Sequence, residues 1–307
     1  MQIYLPIAEM SVDVFVVLGL GGVIGFLSGL FGAGGGFLLT PMLIFLGVPP
    51  PVAVASVANE LIAASVSGMV AHWRRRTVDF KMGAFLLAGG FLGSSLGVWL
   101  FGVLKGIGQI DFAISVCYVL FLGSIGLLML VESARAILRR RGNRSAGPRQ
   151  RYPDWVRRLP FKVRFQKSRL YVSAFLPLAV GLLVGVLAAI MGVGGGFILI
   201  PAMIYLIGMP TTVVAGTSLF QIIFVSANVT LLQSISLQTV DIVLAVLLLA
   251  GGVVGAQYGA RYSARLPGEQ MRIVLAALVL GVCIKLFFDL VATPADVYSI
   301  SVEGGLP

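Results

Sequence analysis

Apolar residues dominate long stretches of the chain, as within 241–256 and 273–288, and short polar breaks separate them. A membrane-spanning strand would show segments of about ten residues that alternate in character. These runs do not, so the pattern predicts helices. At about 20 apolar residues per crossing, the chain has room for roughly eight to ten. The runs place helices at 11–31, 51–72, 80–104 and 111–131, and again at 170–191, 211–233, 241–262 and 269–292. Two shorter apolar pieces, 36–47 and 196–208, end at prolines. At 1.5 Å per residue each is only about 18 Å long, roughly half the hydrocarbon core of a bilayer.

The order of these runs repeats. Residues 21–41 read GGVIGFLSGLFGAGGGFLLTP and residues 181–201 read GLLVGVLAAIMGVGGGFILIP. Gly25, Gly32, Gly34, Gly35, Gly36, Phe37, Leu39 and Pro41 meet Gly185, Gly192, Gly194, Gly195, Gly196, Phe197, Leu199 and Pro201. Further on, Thr77-Val78-Asp79 meets Thr239-Val240-Asp241, and Gly89, Gly90, Gly93 and Gly97 meet Gly251, Gly252, Gly255 and Gly259. Such self-similarity marks a duplicated chain. The expected organisation is a first repeat over 11–131, a basic linker over 132–169 and a second repeat over 170–292.

Composition agrees with this reading. Only 11% of residues are charged and 58% are hydrophobic, whereas a soluble chain would be about a quarter charged. A soluble globular enzyme and a disordered protein are both excluded. The formal net charge of +10 is concentrated in the linker, where thirteen Lys/Arg face only Glu132 and Asp154. In so apolar a chain such a cluster reads as a cytoplasmic loop under the positive-inside rule, resting near anionic headgroups, rather than as a nucleic-acid site. Arg74, Arg75 and Arg76 share that side. The loop with Arg261, Arg265 and Arg272 joins them only if each half crosses an odd number of times, which favours inverted repeats. Inverted repeats are a recurring plan of secondary transporters. Cys117 and Cys283 sit in apolar runs with no CxxC, so they read as packing.

The glycine knots at 32–36 and 192–196 interrupt helices at membrane depth. Irregular backbone there must be buried in protein or line a wet cavity, because unpaired N–H and C=O groups cost several kcal/mol in lipid. Each knot stands before a short helix, whose free N–H groups and positive dipole end suit an anion. Gly34, Gly35, Gly36, Gly194, Gly195 and Gly196 are therefore candidate substrate-binding positions. Gly25/Gly29, Gly93/Gly97 and Gly255/Gly259 have the spacing of close helix packing instead. The helix after each knot adds polar groups at matching places: Ser56, Asn59 and Glu60 in the first half, Thr217, Ser218 and Gln221 in the second. The five neutral side chains are candidate substrate ligands, and Glu60 is the candidate proton-coupling group, since intramembrane acids are costly and usually functional. No GxxxxGK[ST], no Ser/His/Asp set and no metal-ligand cluster occurs, so neither ATP hydrolysis, an enzyme, a metal nor a cofactor is expected.

The duplicated GxGGGFxxxP segments, Gly34–Pro41 and Gly194–Pro201, resemble the TauE/SafE sulfite exporter family, also called the TSUP transporters, over about residues 12–290. The resemblance implies a bacterial inner-membrane carrier of sulfite, organosulfonates or other small anions. The combined expectation is an all-α polytopic membrane protein of two homologous, inverted helical repeats, each with a glycine-interrupted helix hairpin. It would act as a secondary transporter of a small anion. A small-anion channel and a non-transporting membrane scaffold are the alternatives. The expected partners are the anion and the lipid bilayer, with a homo-oligomer left open.

Overall fold

A computed structural model of the chain describes residues 2–31, 34–141, 161–165, 167–168, 170–263 and 268–291. Among the described residues, two antiparallel hairpins and ten helices form in two matching series. The first series is β1 (Gln2–Leu5), β2 (Met10–Asp13), α1 (Val14–Phe31), α2 (Gly36–Phe45), α3 (Pro50–Arg74), α4 (Phe80–Gly106) and α5 (Ile110–Arg141). The second is β3 (Lys162–Phe165), β4 (Leu170–Ser173), α6 (Phe175–Met191), α7 (Gly196–Ala202, continued by a π turn over Met203–Ile207), α8 (Thr211–Ser236), α9 (Ile242–Ser263) and α10 (Gly268–Val291). Among the described residues, five helices are long and apolar enough to cross a membrane: those over Pro50–Arg74, Phe80–Gly106, Ile110–Val131, Val213–Ser236 and Ile242–Gly259.

The helices fall where the apolar runs place them. Two features differ from expectation. The segments at the two repeat starts are hairpins, with Gln2 opposite Asp13 and Lys162 opposite Ser173. These stand 160 residues apart, so the repeating unit includes its hairpin. Second, the segment read as a linker is helical from 132 to Arg141 and re-forms structure as β3–β4. Its middle, 142–160, and Arg265 lie outside the described residues.

Local chemistry sets the boundaries. Asp79 accepts a hydrogen bond from Met82 N at 3.1 Å and Asp241 from Leu244 N at 3.1 Å, which places both as N-caps, of α4 and α9. Gly47 and Gly208 end the short helices with φ of 89° and 78°, a conformation that side chains resist. Pro41 and Pro201 lie inside α2 and α7. Each removes a helix donor, and in the second half a π turn follows.

Packing exchanges the two series. α1 lies along α9 and α6 lies along α4, so the first helix of each half packs on the fourth helix of the other. α3 pairs with α8 and α5 with α10, each helix against its own counterpart. The exchanged pairs approach through glycine. A Cβ on Gly93 would overlap the carbonyl oxygen of Leu182, and one on Gly255 would overlap that of Gly22. Without a hydrophobic force between helices in lipid, such close backbone approach supplies the van der Waals contact that holds them together.

Candidate functional site

The two knots meet at the contact between α3 and α8. Gly34, Gly194 and Gly195 hold φ of 71°, 64° and 76°. The Cβ directions of Gly34 and Gly194 both point at Leu61 and Ile222. These two residues are counterparts in the repeat, at the middle of α3 and α8. Beside them the rings of Phe37 and Phe197, also counterparts, stack at 4.4 Å with 15° between planes. The centre is therefore built from one residue of each half at every level.

Gly35 and Gly195 play another part. A Cβ on Gly35 would come 2.9 Å from Ile24 Cγ2 and 3.2 Å from Ser28 Cβ, and one on Gly195 would run into Val184 Cγ1. The middle glycine of each triplet is thus fitted against the helix that precedes it, while its neighbours face the centre. α2 and α7 begin at these glycines with no side-chain cap, and uncapped helix-start N–H groups are the kind that can meet an anion.

Glu60 and Gln221 stand at equivalent places, each 1% exposed. Glu60 abuts Gly252 of α9, where a Cβ would lie 2.5 Å from its Oε1. Gln221 abuts Gly90 of α4, where a Cβ would lie 2.9 Å from its Nε2. Both carboxyl oxygens of Glu60 and Oε1 of Gln221 have no hydrogen-bond partner. Neither do the hydroxyls of Ser65 and Ser226, which are also counterparts and also buried. Ser226 Oγ lies 3.1 Å from the Cβ position of Gly194. Buried polar groups are almost always paired, so these are positions where a further partner, a proton or a ligand, fits.

The remaining predicted ligands are engaged elsewhere. Ser56 Oγ accepts from Asp241 N at 3.2 Å. Thr217 Oγ1 accepts from Asp79 N at 3.1 Å and donates to Val213 O at 2.8 Å. Each thus pins the start of a helix in the opposite half. Ser218 donates to Ala215 O of its own helix at 2.9 Å, and Asn59 is half-buried on α3. The structure thus brings the two knots together at Leu61, Ile222 and Ser226, turns Glu60 toward α9 and Gln221 toward α4, and engages Ser56, Thr217 and Ser218 in backbone hydrogen bonds. Sequence reasoning missed Ser65 and Ser226. Their spacing of 161 residues, the same as that of Glu60 and Gln221, was the available signal.

The hairpins latch over the helix starts in the same exchanged manner. Asp79 Oδ2 accepts from Ser168 N at 3.1 Å and from Ser168 Oγ at 2.6 Å. Asp241 Oδ2 accepts from Ile7 N at 3.0 Å. Tyr118 of α5, fully buried, donates its hydroxyl to Met191 O at the end of α6, where the second knot begins.

Comparison with known proteins places this architecture. The family described as Sulfite exporter TauE/SafE matches residues 17–286. A "Probable membrane transporter protein YjnA" of Bacillus subtilis is 28% identical over 280 residues, covering 90% of this chain and 100% of the relative. A "Probable membrane transporter protein" of Xylella fastidiosa strain 9a5c is 29% identical over 282 residues, covering 89% and 94%. A second Bacillus subtilis relative, "Probable membrane transporter protein YunE", is 27% identical over 289 residues, covering 91% and 98%. No solved structure matches the chain.

Proposed function

This chain belongs to the TauE/SafE sulfite exporter family of membrane transporters, and from that premise we propose that it is a secondary transporter of a small anion, sulfite or an organosulfonate, across the bacterial inner membrane. The observation that carries the reading is the meeting of two uncapped, glycine-started helices beside Ser226, with the unpartnered oxygens of Ser65, Gln221 and Glu60 buried on the same two helices, α3 and α8. Helix-start N–H groups take the oxyanion's charge, and the two serines and Gln221 take its remaining oxygens. Glu60 carries the proton that couples transport. Leu61, Ile222 and the stacked Phe37 and Phe197 close the centre, and access alternates when the repeats rock and these pairs part.

The halves are read as inverted, with the basic segment cytoplasmic. Charge supports this. Arg74, Arg75, Arg76, Lys81, Lys162, Arg164 and Lys167 gather near the Asp79 latch, while the Asp241 latch has Glu9 and Asp13 on its hairpin.

The test is anion binding to the purified protein, read as a rise in melting temperature across sulfite, sulfate, thiosulfate, taurine, sulfoacetate and small carboxylates. A ligand at 100 times its Kd stabilises by about 2.7 kcal/mol. Each hydrogen bond to a charged ligand is worth about 1.5–3 kcal/mol, so Ser65→Ala and Ser226→Ala each weaken binding by roughly tenfold to 150-fold. Undiminished shifts in both variants refute the site. Non-saturating flux with unitary currents turns the reading to a channel. Loss of function on deleting 140–165, with both serine variants active, turns it to a scaffold. Valine at Gly35 or Gly195 would report the fit against α1 or α6, not the ligand.

A further inference from the structure

Away from the centre, a cavity of about 630 Å³ opens between the end of α3, the start of α4 and the turn of the β3–β4 hairpin. Three cations line it: Arg74, Arg76 and Lys167. Both arginines and the lysine are exposed, and none of the three has a carboxylate within ion-pair distance among the described residues. Lys167 Nζ donates to Val78 O at 3.1 Å and sits 5.8 Å from the Phe80 ring centre, which fixes it at the mouth. Asp79 follows Val78 in the chain, but its oxygens accept from donors on Met82 and Ser168. The cavity thus offers positive charge that nothing on the described chain neutralises.

Its rim is apolar and aromatic. Trp73, Phe80 and Val70 line it at 59%, 39% and 42% exposure. Arg74 is 13 residues along α3 from Leu61, about 20 Å at helical rise, and the floor is closed by Val78, 1% exposed. The cavity is therefore separate from the knots. It lies at a helix end, where tryptophan marks the membrane–water boundary.

The opposite end of the molecule repeats the backbone but not the chemistry. Arg76 and Gln238 are counterparts, and both hold positive φ, 56° and 48°. Counting from the matched Thr77 and Thr239, Ser236 replaces Arg74, and in the hairpin Ile7 replaces Lys167. Orientation in the membrane asks for cations on one side. It does not ask that they surround a cavity with an aromatic rim.

We propose that this cavity binds the phosphate of one anionic phospholipid headgroup, with Arg74, Arg76 and Lys167 on the phosphate and Trp73, Phe80 and Val70 on the glycerol and upper acyl chains. A guanidinium pair suits a phosphodiester through forked hydrogen bonds. Basic pockets beside spanning helices hold such headgroups in general.

The test uses the delipidated full chain in neutral detergent, titrated with dioleoylphosphatidylglycerol or dioleoylphosphatidylcholine and followed by native mass spectrometry and melting temperature. Phosphatidylglycerol binds one per chain and raises the melting temperature, and phosphatidylcholine does neither. At about 1 kcal/mol per cation near a membrane surface, the triple variant Arg74→Gln, Arg76→Gln, Lys167→Gln weakens retention by roughly 100-fold. Arg75→Gln, which removes an exposed neighbour that does not line the cavity, retains the lipid. Equal melting of all three proteins without lipid shows that folding is unaffected; if the triple variant melts lower, the single change Lys167→Gln, with a partial loss, carries the comparison. Equal retention by the wild type and the triple variant overturns the proposal. So does an equal shift from inorganic phosphate or glycerol 1-phosphate, which would make the cavity a vestibule for free anions.

Discussion

Replacing Gly97 with alanine should measure how tightly α4 is seated on α6. A Cβ there would lie 2.7 Å from Ala189 Cβ, 2.8 Å from Val186 O and 2.9 Å from Val186 Cα. Carbon atoms rest at about 3.5–4.0 Å, so α4 must lift by roughly 1 Å. No rotamer can absorb this, because the three obstructing atoms are backbone or an alanine methyl. A radial gap of about 0.5–1 Å forfeits a quarter to a half of each contact's attraction along the seam, and overpacking typically costs about 1–3 kcal/mol. Alanine returns about 1 kcal/mol through helix propensity, which leaves a net loss of up to about 2 kcal/mol. Gly281 on α10 is the control, since nothing lies within 4 Å of its Cβ position. Gly281→Ala should be neutral or stabilising by up to about 1 kcal/mol. The assay is thermal or denaturant unfolding of the purified protein in one detergent, with Gly259→Ala, the counterpart of Gly97, run beside them. Equal stability of Gly97→Ala and Gly281→Ala would refute the packing argument.

Two further outcomes follow from the latch and the centre. Asp79→Ala removes an N-cap and two charge-assisted bonds to Ser168, about 3.5–8 kcal/mol if the terms add; trypsin should then cut the β3–β4 hairpin at Lys162 or Arg164 faster, and unchanged cleavage would contradict the latch. Glu60→Gln makes the two halves chemically alike at a place where Gln221 is already accommodated. The variant should fold normally and transport with a flattened pH profile, measured as flux in proteoliposomes; an unaltered profile would remove Glu60 from proton coupling.

Helix positions were legible because a spanning helix must be apolar nearly throughout, and the glycine knots because a run of glycines at that depth interrupts the apolar pattern. The hairpins were not. Their strands are four residues each, too short for alternation to stand out, and KVRF at 162–165 sits in a run of basic residues that dominates the reading. The Thr-Val-Asp repeat was visible as an alignment. Its meaning, a helix cap that also clasps the other half's hairpin, depends on contacts between residues 89 and 234 positions apart. Ser56 and Thr217 fitted a ligand set by helix face alone, yet each answers a backbone N–H that only the folded chain brings to it. Ser65 and Ser226 read as ordinary small residues, because a serine that bonds back to its own helix and one that waits for a partner are the same letter.

The exchanged packing has a genetic consequence. With α1 on α9 and α6 on α4, neither half can cover its own glycine seam, so a single-repeat ancestor would have needed a second copy of itself. In such a homodimer, positions 60 and 221 would have been encoded once, and both would have been carboxyls or both amides. A carboxyl in one half and an amide in the other became available only when gene duplication let the two copies mutate separately. The Glu60/Gln221 difference therefore dates from after the duplication, and it is an asymmetry that a symmetric homodimer had no means to encode.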